Sequence, residues 1–228
     1  MHMHTTQNRI ATEQEVSIDA EFARLEGTLA IPNDPDGIVL FAHGSGSSRH
    51  SPRNQFVAER LRQAGLSTLL IDLLTEDEEA AEARTGHFRF DIDFLADRLA
   101  NSLDWLASNP ATTNLPVGLF GASTGGGAAL VAAARRPGQV RAVVSRGGRP
   151  DLAGDALFAA QCPTLLIVGG HDSFVIELNE SALEQLGSQV KELVVVPGAG
   201  HLFEEPGKLE EVARLAADWF GRHLRPAG

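Results

Sequence analysis

Five consecutive residues, Gly121-Ala122-Ser123-Thr124-Gly125, carry the strongest chemical signal in the chain. They follow the apolar run 117–120 and precede Gly126-Gly127-Ala128-Ala129, so Ser123 sits where a strand turns sharply into a helix. Glycines are needed on either side of such a bend because side chains there would collide. The bend lifts the serine hydroxyl clear of the strand and aims the positive end of the helix at it. A glycine-rich packing turn with an idle serine would show the same five residues; the strand before and the helix after favour a held nucleophile.

A serine hydroxyl is a weak nucleophile near neutral pH and needs a base, which in turn needs an orienting acid. The run 164–168 leads into Gly169-Gly170-His171-Asp172, and the run 193–196 leads into Pro197-Gly198-Ala199-Gly200-His201. Asp172 and His201 thus fall just past strand ends, where open α/β sheets place their sites. Catalytic roles are therefore expected for Ser123 as nucleophile, His201 as base and Asp172 as acid. Asp72, which ends the run 67–71, and Asp151 are rivals for the acid. Asp72 precedes the serine, and Asp151 reads as an N-cap for a helix around 152–160. His171 neighbours Asp172, but adjacent side chains point apart, and His87 is a weaker rival base.

Acyl transfer also needs donors for a tetrahedral oxyanion. The backbone N–H of Thr124 follows the nucleophile, and the loop His43-Gly44-Ser45-Gly46 follows the run 38–42. The oxyanion hole is expected from Thr124 and Ser45, with Gly46 behind Ser45 and His43 holding the loop. Arg49, Arg53, Arg146 and Arg149 all lie on loops at the same end of the sheet. They are candidate substrate-binding residues for a carboxylate or phosphate; surface arginines paired with nearby acids are the competing account.

The elements that position these groups alternate. Continuous apolar runs at 38–42, 67–71, 117–120, 142–144, 164–168 and 193–196 read as strands covered on both faces. Residues 16–31 alternate apolar and polar, as an antiparallel pair would. Between the strands, Ser51-Pro52 opens a helix with Val57, Leu61 and Ala64 on one face. Leu95, Leu99, Leu103 and Leu106 form the apolar stripe of a second helix, and Leu209, Val212, Ala216 and Trp219 that of the last. The acidic stretch 75–83 reads as a solvated loop or helix start. The fold class is α/β, a mainly parallel twisted sheet with helices on both faces. A flexible tail at 1–12, carrying His2 and His4, precedes one domain at 13–228.

Together, Gly121–Gly125, His43-Gly44-Ser45-Gly46, Asp172 and His201 resemble the α/β-hydrolase fold over about 25–224. The compact size and the stretch Gly200-His201-Leu202-Phe203-Glu204-Glu205-Pro206-Gly207 are similar to dienelactone-hydrolase-like proteins. The name-giving enzymes use a cysteine nucleophile, whereas this elbow carries Ser123 and Cys162 lies before a strand. The resemblance implies ester hydrolysis and does not carry lactone specificity.

With 228 residues and only about twenty of them joining the strand at 142–144 to the next, no separate cap domain is expected. A small or short-acyl ester should suit such a minimal lid. The net charge of −11 makes nucleic acid and anionic membrane surfaces poor partners, while leaving room for a small anionic substrate. No metal or organic cofactor is implied. The single cysteine and the polar N-terminal stretch fit a cytoplasmic protein. Thioesterase, lactonase, perhydrolase and C–C hydrolase chemistry share the same acyl-enzyme. A non-catalytic ligand-binding protein on the same scaffold is the alternative from another class, and the three matched catalytic residues argue against it.

Overall fold

The continuous apolar runs become strands whose alternate residues feed two different cores. The computed structural model describes residues 10–21 and 23–225. In chain order the strands are β1 (Ile10–Ala20), β2 (Ala23–Pro32), β3 (Gly37–Ala42), β4 (Leu66–Ile71), β5 (Val117–Ala122), β6 (Val140–Arg146), β7 (Thr164–Gly169) and β8 (Lys191–Val196). They form one sheet in the order β1-β2-β4-β3-β5-β6-β7-β8. The β1–β2 and β2–β4 pairs are antiparallel and every pair from β4 to β8 is parallel. This is the α/β-hydrolase arrangement.

Parallel strands require crossovers, and helices supply them. These are α1 (Pro52–Gln63), α2 (Glu76–Thr85), α3 (Ile92–Ser108), α4 (Thr124–Arg135), α5 (Ala156–Ala159), α6 (Ser173–Gln185) and α7 (Lys208–His223). On one face Leu40, Leu69, Leu119, Val143 and Leu166 pack with the α3 leucines and the α4 alanines. On the other, Val39, Phe41, Phe120, Val144 and Ile167 pack with Val57 and Leu61 of α1 and with Trp219 and Phe220 of α7. Ser51 caps α1, accepting the Asn54 N–H at 3.5 Å, with Pro52 in the first turn.

Two sequence expectations need adjustment. Strand β1 begins at Ile10, so Ile10–Thr12 belong to the sheet rather than to a tail; His2 and His4 lie outside the described residues. Asp151 caps no helix: it sits inside a 3₁₀ turn, Pro150–Ala153, and its carboxylate takes two N–H groups of Arg149, at 2.9 and 2.7 Å. The acidic stretch, expected to be a solvated loop or helix start, is the start of helix α2, opened by a capping box between Thr75 and Glu78, and the helix buries Glu82. Between β6 and β7 the structure has only that 3₁₀ turn and α5. Cover over the sheet edge comes instead from α2 and a 3₁₀ turn, Phe88–Phe90, after β4.

Candidate active site

Ser123 adopts φ 52° and ψ −124°, a strained conformation for a residue with a side chain. Close packing forces it. A Cβ on Gly121 would lie 2.4 Å from the Gly125 carbonyl oxygen, and one on Gly125 would lie 2.2 Å from that of Ala42. The spacing of the motif is thus a steric requirement of the turn from β5 into α4. The Ser123 N–H donates to the Arg146 carbonyl at 3.3 Å, and its own carbonyl accepts from the Arg149 N–H at 3.0 Å. Strained backbone persists where neighbours over-determine it in this way.

His201 Nδ1 lies 2.6 Å from Asp172 Oδ2. A neutral imidazole that donates Nδ1–H to a carboxylate carries its lone pair on Nε2, the atom a general base uses. Asp172 is held just beyond β7 by its N–H, which donates to Gly169 at 3.0 Å. The His201 loop is fixed by Glu205, which accepts the Gly200 N–H at 2.9 Å. Glu205 was not singled out from sequence; its place four residues after a candidate base was the available signal. A Cβ on Gly147 would come within 3.6 Å of the His201 ring, and Gly147 follows Arg146, whose carbonyl holds Ser123. Ser123 and the His201–Asp172 pair therefore converge on the end of β6.

The rivals are engaged elsewhere. Asp72 accepts the Arg49 N–H at 2.7 Å and pairs closely with its guanidinium. His171 is exposed, and its backbone N–H donates to the Ala199 carbonyl at 2.9 Å, which holds the residue in the loop after β7. His87 is exposed, its ring against Phe88. Cys162 is half-buried before β7, and burial pushes its thiol up to about 11.

On the other side of the nucleophile, the loop after β3 meets the start of α4. The Ser45 and Thr124 hydroxyls hydrogen-bond at 3.2 Å, and a Cβ on Gly44 would lie 2.9 Å from Ser123 Cβ. His43 ties this loop to the one after β4. Its Nε2 accepts the Leu73 N–H at 2.9 Å and its Nδ1 donates to the Gly44 carbonyl at 2.9 Å, so the ring is neutral. Burial holds its pKa below the ordinary histidine value, outweighing the Gly44 bond and the nearby Asp72 carboxylate.

Of the four arginines, three have acidic partners. Arg49 pairs with Asp72 and Glu15, Arg53 with Glu204 at 2.9 Å, and Arg149 with Asp151. Arg146 is different. It is 7% exposed, and its Nε and Nη1 are buried with no hydrogen-bond partner among the described residues. Burial, reinforced by the charge of Arg53, pushes its pKa down to about 10, so it remains a cation at neutral pH. Among the described residues, no three His, Cys, Asp or Glu side chains cluster to hold a metal ion, and no helix is long and apolar enough to cross a membrane.

The dienelactone hydrolase family model matches residues 25–224. The chain belongs to the dienelactone hydrolase family. A dienelactone hydrolase from Anabaena variabilis is 63% identical and superposes with a TM-score of 0.92, covering 94% of this chain and 99% of that one. A putative phosphoribosyl transferase of Mycobacterium tuberculosis is 58% identical over 212 residues, 93% of this chain but 47% of the relative. The chain thus spans about half the length of the curated relatives it matches first. Est1E from Butyrivibrio proteoclasticus shares the fold at 16% identity, with a TM-score of 0.76 over 91% of this chain and 98% of its own.

Proposed function

We propose that the protein hydrolyses small carboxylic esters through Ser123, His201 and Asp172. His201 Nε2 takes the Ser123 hydroxyl proton as Oγ attacks the carbonyl carbon, and the Asp172 carboxylate holds the ring and stabilises its charged form. The backbone N–H groups of Thr124 and Ser45 receive the oxyanion. His201 then returns the proton to the departing alcohol, and water, activated by the same nitrogen, releases the acid. The observation that carries this reading is the strained serine at the end of β5 together with a histidine bound to its acid, its ring near Gly147 at the end of the neighbouring β6.

Recognition of an anionic group on the substrate falls to Arg146, because Arg49, Arg53 and Arg149 each pair with an acid. The lone half-buried cysteine is consistent with a cytoplasmic protein. The phosphoribosyl transferase name belongs to proteins about twice this length, and the elbow, base and acid of this chain fit acyl transfer instead.

A fluorophosphonate probe should add one label, on Ser123. Ser123→Ala should lose both the label and turnover, by roughly 10⁴-fold or more, while remaining folded. Full ester turnover by that variant would end the proposal. A labelled protein that turns over only thioesters would move the assignment to that bond.

A further inference from the structure

Between the loops after β3 and β4 lies a small pocket of ≈ 20 Å³, with Ser45 and Thr124 in its lining. Its other walls include Leu73, Leu74, Phe88 and Leu95. One water-sized group occupies about 10–15 Å³ by the same kind of measure, so the space suits a methyl group and little more. The position of the base decides which part of an ester would enter. The departing alcohol must collect its proton from His201, which lies against Gly147 at the β6 side and is exposed. The acyl group must therefore point the opposite way, past the oxyanion donors toward β4. That is where the pocket is.

Resting on the ester-hydrolase reading, we propose that this pocket is the acyl site, that it takes acetyl groups, and that α2 with the Phe88–Phe90 turn sets its size. The turn is clasped rather than loose. The buried Glu82 carboxylate accepts the Phe88 N–H at 2.7 Å and Arg89 Nε at 2.5 Å. The Phe88 ring rests on Phe94 at 5.3 Å between centroids. Glu78 of the same helix pairs with Arg98 of α3 at 2.7 Å, so the wall is anchored to the core helix behind it. Added methylenes have no space without displacing this wall, and overpacking of that kind costs roughly tenfold or more in rate. Glu82 touches no reacting atom; it is a positioning residue.

The test is a series of p-nitrophenyl esters with acetyl, butyryl and hexanoyl groups, which varies the acyl chain at constant leaving group. For the wild type, kcat/KM should fall at least tenfold from acetyl to hexanoyl. Phe88→Ala and, separately, Leu74→Ala should raise the hexanoyl-to-acetyl ratio about fivefold or more, and Glu82→Gln should raise it by releasing the wall. Glu82→Asp should restore part of the acetyl preference, which a merely destabilised protein would not do. A wild type that labels at Ser123 yet prefers hexanoyl esters overturns the pocket while sparing the hydrolase. So does a ratio unchanged in both Phe88→Ala and Leu74→Ala; should one variant fail to fold, the other decides. Absence of any Ser123 label would instead remove the ester reading, and the pocket's role with it.

Discussion

Buried polar side chains near the nucleophile are held in one ionisation state by their neighbours, and His43 is the clearest instance. Its ring spends both nitrogens on backbone groups and lies 6% exposed, so protonation would strand a donor against the Leu73 N–H. Because burial depresses the folded pKa, the unfolded chain binds the proton first. The stabilisation is complete above the unfolded pKa of about 6.5 and is lost as the pH falls below that value toward the folded one. The slope from one such group cannot exceed about 1.4 kcal/mol per pH unit. Urea unfolding at pH 7.5, 6.5 and 5.5 should show a steeper loss of stability for the wild type than for His43→Gln, which is less stable at pH 7.5 but does not titrate. Parallel pH slopes in the two proteins would show that His43 titrates alike in both states. The nucleophile poses the opposite problem: Ser123 needs no burial, only a backbone angle that Gly121 and Gly125 permit.

Among elements, the α3–α4 contact shows which interactions hold the scaffold behind the site. Leu99 is fully buried in the core, whereas Asp104 meets Arg136 at the surface at 2.8 Å with half its side chain exposed. Leu99→Ala should cost about 2–5 kcal/mol by leaving a cavity, and Asp104→Asn about 1 kcal/mol or less because water screens the pair. Equal losses in urea titrations of the two variants would contradict this division. Elements of the α3 kind were readable from sequence because a leucine every three or four residues has one structural meaning. The buried strands, Asp172 and the serine turn were readable for a similar reason: the runs before them are kept apolar by burial on two faces. His201 follows β8, where Lys191, Glu192 and Val195 are exposed, so that run is not covered on both faces as its apolar residues implied. Helix α2 was readable only as one of two alternatives, a helix start or a solvated loop, because its sequence, EDEEAAEART, has no apolar stripe; the Thr75 and Glu78 capping pair marks its start. The pairing of Asp151 with Arg149 and the convergence of Leu74, Phe88 and Leu95 on one pocket depend on tertiary geometry, which no spacing along the chain encodes.

At the scale of the whole molecule, a net charge of −11 opposes the buried guanidinium of Arg146, whose Nε and Nη1 have no hydrogen-bond partner among the described residues. The two act over different ranges. The summed negative charge repels an approaching anion over distances that salt shortens to about 8–10 Å, while a contact with Arg146 is short-ranged and little screened. An acetate ester with its carboxylate on the alcohol side separates them, because that side faces His201 and the end of β6, where Arg146 lies. For 4-acetoxybenzoate, kcat/KM should rise a few-fold between roughly 20 and 300 mM salt, while its neutral methyl ester should be nearly indifferent. At the higher salt the wild type should favour the anion, since a charge-assisted hydrogen bond contributes about 1.5–3 kcal/mol, or roughly ten- to a hundredfold in rate. Arg146→Met fills a similar volume without the charge. It should abolish that preference at high salt yet retain the salt dependence, which belongs to the rest of the protein. A preference unchanged in Arg146→Met would show that the guanidinium does not meet the substrate, and a flat salt profile for the anionic ester would show that the acidic surface does not govern its approach.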